Sequence, residues 1–229
     1  MARVVLAIAA VAPIVLALVI KQYVNAVYAA ARSMPVASRV TGGEAARLLL
    51  YATGTREIGI EVIAGSLNDH FDPGAGVIRL SPETNSESSI AALAIVGHEV
   101  GHVAQHKIGS WLIVVRNLLL RATQIASSLG TLLMVIGIAA AVLRIGVGPF
   151  MLVAGFLSLL LSASFAVVTL PLEFDASRRA LRLLVAANVL SVDELPAVRR
   201  VLTAAALSYA ASAVMAMSRI PWLLGRFGR

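Results

Sequence analysis

The chain contains no cysteine, which excludes disulfides, thiolate metal ligands and a cysteine nucleophile. Charge is scarce: 14% of residues are charged and 59% hydrophobic, against about 25% and about 45–50% in an average soluble domain. Intrinsic disorder is excluded by those proportions, and an ordinary soluble composition with it. Aromatic residues make up only 5%, so the apolar excess is Ala, Leu, Val and Ile. That is material for helices rather than for a barrel with aromatic girdles. Lysine occurs only at Lys21 and Lys107, although the formal net charge is +7. No Arg/Lys run is interleaved with aromatics and no nucleic-acid motif is present, so the expected partner for this charge is a lipid bilayer with anionic headgroups, not nucleic acid.

Long charge-free runs are what the sequence has in abundance. A bilayer span needs about 17–25 apolar residues, and four stretches qualify by absence of charge: residues 4–20, 122–143, 145–172 and 201–218. The expectation is one membrane-integrated domain over residues 1–229, mainly α and multi-pass, with the first stretch an uncleaved anchor. A small α+β portion at the membrane surface would be built from about 21–121 plus 173–200. The bias of Lys and Arg near the ends of these stretches places that portion on the cytoplasmic side. Glu173, at the end of the third stretch, would emerge on the same side.

Within the first polar segment, Thr41-Gly-Gly-Glu44 has the pattern of a capping box and opens a helix that stops near Gly54. Ile58, Ile60 and Val62 alternate as a short strand, Asp72 to Gly76 is turn chemistry, and Val77 to Leu80 reads as a second strand. That second strand is either a sheet edge placed to take a peptide by β-addition or a plain core strand. A long helix capped by Asn85 or Ser86 is expected to run to about His106 and to end at Gly109. Ser191-Val-Asp-Glu194 is a further capping box.

The chemistry sits in that long helix, in His98-Glu99-Val100-Gly101-His102. Histidines four apart share a helix face, so their ring nitrogens can meet one Zn²⁺ at about 2.0–2.1 Å each. Glu99 follows the first histidine directly and can reach a water on the metal as general base, then return the proton to the leaving amine. Hydrolytic zinc sites take three protein ligands. His106 lies eight residues from His98, about 12 Å along a helix axis, and is too far to share the metal. His70 competes for the third place because its loop is unconstrained. Glu173 is the stronger candidate, since a carboxylate at a bilayer boundary is costly unless paired or liganded. Arg178 and Arg179 are candidate oxyanion stabilisers or plain surface charges.

These segments together resemble a known family. His98-Glu-Val-Gly-His102, Leu170-Pro-Leu-Glu-Phe-Asp-Ala-Ser-Arg-Arg-Ala180, Asp69-His-Phe-Asp-Pro73, Thr41-Gly-Gly-Glu-Ala-Ala-Arg47 and Ala204-Ala-Ala-Leu-Ser-Tyr209 look like the YugP-type neutral zinc metallopeptidases of bacterial membranes. More distantly the layout is similar to HtpX and the prenyl-protein proteases. The resemblance implies a zincin-like fold with one Zn²⁺ per chain, His98, His102 and Glu173 as ligands, and Glu99 as catalytic base. It also implies a peptide or membrane-protein substrate. The wider group carries Glu-x-x-x-Asp, whose Asp braces a ligand histidine; here that position is Ser177, with Asp175 two residues from Glu173.

The expected function is therefore an integral-membrane zinc metalloendopeptidase acting on membrane or membrane-proximal proteins. The rival readings are a zinc hydrolase of another amide or ester, and a non-catalytic membrane scaffold with a relic motif.

Overall fold

The computed structural model describes residues 2–65 and 68–217. Their order is α1 (Ala2–Arg32), α2 (Gly42–Ala52), β1 (Gly59–Val62), β2 (His70–Asp72), β3 (Val77–Leu80), α3 (Pro82–Ser86), α4 (Ile90–Lys107), α5 (Trp111–Val142), α6 (Gly148–Ala186) and α7 (Leu195–Met217). The architecture is mainly helical with one small sheet, and the chain divides into two compact units. The first takes residues up to 21, 114–170 and from 208 on; the second takes 22–113 and 171–207.

In the second unit the predicted capping box is present. The Thr41 hydroxyl accepts from the Glu44 N–H, and the Glu44 carboxylate accepts from the Thr41 N–H at 2.8 Å. Ser191 and Glu194 form the second capping box, on a 3-10 turn ahead of α7. The sheet order is β1-β3-β2, with β3 parallel to β1 and antiparallel to β2. Alternation along β3 sends Ile78 and Leu80 into the core, both fully buried, and leaves Arg79 to pair with Glu61 and Asp72. The core joins these to Ala45, Leu49, Leu93, Val96 and Val100 of α2 and α4, and to Ala180 and Leu184 of α6.

Helices α4 and α6 approach closely. An added Cβ at Gly101 would lie 2.5 Å from the Ala176 carbonyl oxygen, and one at Gly97 would lie 2.9 Å from Leu184. Glycine is therefore required at Gly101 by backbone proximity.

The first unit has its own small core, in which Met134 of α5 packs with Leu152 and Leu159 of α6. Gly130 and Gly155 face each other there, each carbonyl 3.0 Å from where the other's Cβ would be.

Several expectations are corrected. Among the described residues, no helix is long and apolar enough to cross a membrane, which overturns the four-span integral membrane fold. The stretches 4–20, 122–143, 145–172 and 201–218 fall largely in α1, α5, α6 and α7, which do not respect their charged limits; Ser218 lies outside the described residues. Helix α1 runs on through Lys21 to Arg32, and α6 runs past Pro171 through Glu173 and Arg179 without a break. Absence of charge sets no limit on a helix here, since α1 and α6 carry Lys21, Glu173 and Arg179 within their length. The two-sided topology derived from the spans, with a site on the cytoplasmic face, loses its basis with them. Helix α4 begins at Ile90 and is capped by Ser89, whose hydroxyl accepts from the Ala92 N–H at 3.2 Å; Asn85 and Ser86 belong instead to the separate α3.

The Gly101 contact generates a stability prediction. Gly101→Ala gains about 1 kcal/mol of helix propensity, but its methyl meets backbone, which cannot rotate away. We expect a net destabilisation of about 1–3 kcal/mol, read by thermal unfolding. Gly146→Ala, whose Cβ would meet nothing within 4 Å, serves as the neutral control. A Gly101→Ala variant as stable as the parent would refute the close approach.

Candidate metal centre

Helix α4 sets the first two side chains. His98 and His102 are one turn apart, with ring centroids 4.6 Å apart and ring planes at 82°. His102 is buried and His98 nearly so. The third side chain comes from α6, which is pinned to α4 by the contacts at Gly97 and Gly101. Glu173 Oε2 lies 3.0 Å from His98 Nε2 and 3.5 Å from His102 Nε2. One atom from each of the three residues falls within 4.8 Å of the others.

The donor set fits a zinc ion. Two imidazole nitrogens and one carboxylate oxygen converge, which is a recurrent hydrolytic zinc set. Glu173 is only 1% exposed, and among the described residues its ion-pair partners are the two imidazoles rather than an Arg or Lys. A buried carboxylate needs compensating positive charge, and a divalent cation among these atoms supplies it. Burial alone would raise the Glu173 pKa, but hydrogen bonds from His102 and His98 outweigh it and hold the carboxyl far below the usual carboxylate range.

Each imidazole is held from behind. His98 Nδ1 lies 3.2 Å from Ser177 Oγ. His102 Nδ1 lies 2.9 Å from Gln105 Oε1, and the Gln105 amide donates to the Leu172 carbonyl at 2.9 Å and to Asp175 Oδ2 at 2.8 Å. Asp175 in turn accepts from Arg179 Nε at 2.7 Å. Sequence reasoning missed Gln105. The signal was available, because it lies three residues after His102 on the same helix face and is the kind of polar residue that must find partners when buried.

Glu99 points to β2. Its Oε2 accepts the Phe71 N–H at 2.9 Å. Burial raises its pKa most, and Glu173 and Asp69 add to the rise; His98 and the Phe71 N–H oppose it, leaving the group pushed up to about 7. The sheet edge beside the site is therefore β2, formed mostly from the loop around His70 ahead of the turn expected over Asp72 to Gly76. Of the two readings of Val77–Leu80, a peptide-taking edge and a plain core strand, the second holds: it is the central strand, because β2 folds back along its other side.

The other candidates fall elsewhere. His70 is exposed, with Nδ1 2.7 Å from the Asn68 carbonyl, and it is not in the cluster. His106 is exposed and stacks edge-on to Phe71 with centroids 5.7 Å apart. Arg179 is engaged by Asp175, and Arg178 Nε donates to the Phe174 carbonyl.

Comparison with known proteins gives a consistent picture. Residues 6–227 match the family described as "Putative neutral zinc metallopeptidase". The chain is 35% identical over 178 residues to the "Putative membrane protease YugP" of Bacillus subtilis (strain 168), an alignment covering 77% of this chain and 76% of that protein. No solved structure matches.

The raised pKa of Glu99 has a sign that can be tested in metal-free protein. Its folded value, about 7, exceeds the ordinary 4.5, so the folded state binds more protons between those values and loses stability as pH rises through the window. Glu173, shifted the other way, contributes stability above its ordinary value that is lost only as pH falls below it. Glu99→Gln removes the first effect and keeps an acceptor for Phe71. The stability advantage of Glu99→Gln over the parent should grow by up to about 1.4 kcal/mol per pH unit between pH 4.5 and 7 and then level off. Denaturant titrations of both proteins at pH 5, 6, 7 and 8 decide it; a gap that does not change with pH would refute the assignment.

Proposed function

The chain belongs to the neutral zinc metallopeptidase family, and from that premise we propose which residues perform the hydrolysis and on what. As a zinc metallopeptidase it uses Zn²⁺ to cleave peptide bonds. In our reading His98, His102 and Glu173 hold the ion and Glu99 is the catalytic base. The observation that carries this reading is the convergence of the three side chains, from two helices, around the buried Glu173 oxygen.

Bound zinc supplies Lewis acidity, polarising a scissile carbonyl and making water more acidic. Glu99 does the proton work. The Phe71 N–H engages Oε2, which fixes the carboxylate and leaves Oε1 as the atom that takes the proton of the attacking water. A carboxylate with a raised proton affinity holds that proton long enough to deliver it to the departing amine, whose nitrogen becomes basic as the C–N bond breaks. Ser177 and Gln105 keep the imidazoles in place through their Nδ1 atoms.

The substrates we propose are membrane or membrane-proximal proteins. Two observations support this. The Bacillus subtilis relative is named a membrane protease. The first unit also exposes large apolar side chains, among them Leu132, Val135, Leu143, Phe150 and Leu157, a surface of the kind that meets lipid or an apolar partner.

Glu99→Gln is expected to lower kcat by about 10²–10⁴ while retaining one zinc per chain, and His102→Ala or Glu173→Gln to lose the zinc. Metal content by elemental analysis and turnover of an unstructured peptide test both arms. Undiminished turnover in Glu99→Gln would sink the mechanism.

A further inference from the structure

We propose that Gln105 is a positioning residue that locks His102 into the tautomer able to bind metal, and that it ties this imidazole to the helix carrying Glu173. The inference rests on the reading of His98, His102 and Glu173 as the zinc ligands.

The argument is one of donors and acceptors. Gln105 is fully buried, so its amide has no water to turn to. Two of its neighbours, the Leu172 carbonyl at 2.9 Å and Asp175 Oδ2 at 2.8 Å, offer lone pairs. Asp175 is kept ionised by Arg179, whose Nε donates to the same Oδ2 at 2.7 Å. Only the NH₂ end of the amide can satisfy both. The reversed amide would press its oxygen against a carbonyl and a carboxylate at those distances, in a buried site where each repulsive contact is unscreened. Gln105 Oε1 therefore faces His102 Nδ1, 2.9 Å away.

An amide oxygen only accepts, so Nδ1 of His102 must carry the proton. Nε2, the atom directed at Glu173 Oε2, is then the nitrogen whose proton, lent to that carboxylate in the metal-free protein, leaves to free the lone pair that a metal takes. The amide acts on Glu173 as well, because the carbonyl it grips belongs to the residue immediately before it. Ser177 gives His98 no such direction, since a hydroxyl 3.2 Å from Nδ1 can donate or accept. The two histidines are thus held unequally: Gln105 commits His102 in advance, whereas His98, whose Nε2 donates to Glu173 Oε2 at 3.0 Å before a metal binds, must move its proton to Nδ1 when the metal arrives.

The test is a ¹⁵N-histidine NMR spectrum of metal-free protein at pH 8, paired with zinc affinity measured by competition with a chromophoric chelator. His70→Gln and His106→Gln backgrounds assign the signals. In the parent we expect His102 protonated at Nδ1 and His98 protonated at Nε2, toward Glu173. Gln105→Leu should mix the His102 tautomers and weaken zinc binding by about 10–100-fold. Ser177→Ala should leave the His102 signals unchanged. Asp175→Ala removes one of the two acceptors that fix the amide and should mix the His102 tautomers in part.

A parent spectrum with His102 Nδ1 unprotonated, wholly or in part, would overturn the proposal. So would a Gln105→Leu protein with unchanged tautomer and affinity. If Gln105→Leu does not fold, the parent spectrum and Asp175→Ala still decide. Should His102→Ala and Glu173→Gln both keep full zinc affinity, the ligand assignment fails by itself, and the tautomer measurement stands apart from it.

Discussion

The distance between α4 and α6 governs everything built on them. The two backbones come together where Gly101 passes Ala176, and a single methyl would not fit between them. At that separation a glutamate on one helix can touch two imidazoles on the other. A glutamine one turn further along α4 can also reach a main-chain carbonyl across the gap. Any wider spacing leaves Glu173 a buried anion without partners, which folding would not tolerate. The polar centre therefore exists because a stretch of small residues allows two helices to pack closely. The centre in turn gives those helices a reason to keep one relative register.

The centre draws its parts from three levels of structure. Helical periodicity supplies His98 and His102, tertiary packing supplies Glu173, and the sheet supplies the main-chain N–H that orients Glu99. The electrostatics follow from this layering. Two carboxylates within mutual influence have been driven in opposite directions, one toward protonation by burial and the other toward ionisation by its imidazole partners. Neighbouring acids whose proton affinities are pushed apart are a recurrent arrangement where one group binds charge and the other moves protons.

Much of this was legible in the sequence, for reasons that can be named. The His98–His102 pair is visible because ligand spacing and helical pitch coincide. The capping boxes at Thr41 and Ser191 are local hydrogen-bonding patterns and need no tertiary knowledge. Glu173 could be singled out because it breaks a long charge-free run. The strand β2 was not legible: three residues, His70 to Asp72, carry too little alternation to distinguish a strand from the turn that follows. Gln105 escaped because its role depends on what lies across the helix interface, and amides are too common to signal alone. The four spans failed because a charge need not mark where a helix stops: α1 and α6 extend through the charges read as boundaries.

The hold on Glu99 comes from the peptide N–H of Phe71, not from a side chain. Replacing the phenyl ring by any residue other than proline leaves that donor in place, so the contact is invisible to most substitutions at this position. It is highly visible to the sheet. In an antiparallel pair successive N–H groups point to opposite edges, so a one-residue slip of β2 along β3 would turn the donor away and leave Glu99 without it. The pairing of Phe71 with Ile78 thus works as a ruler, measuring out where Glu99 stands.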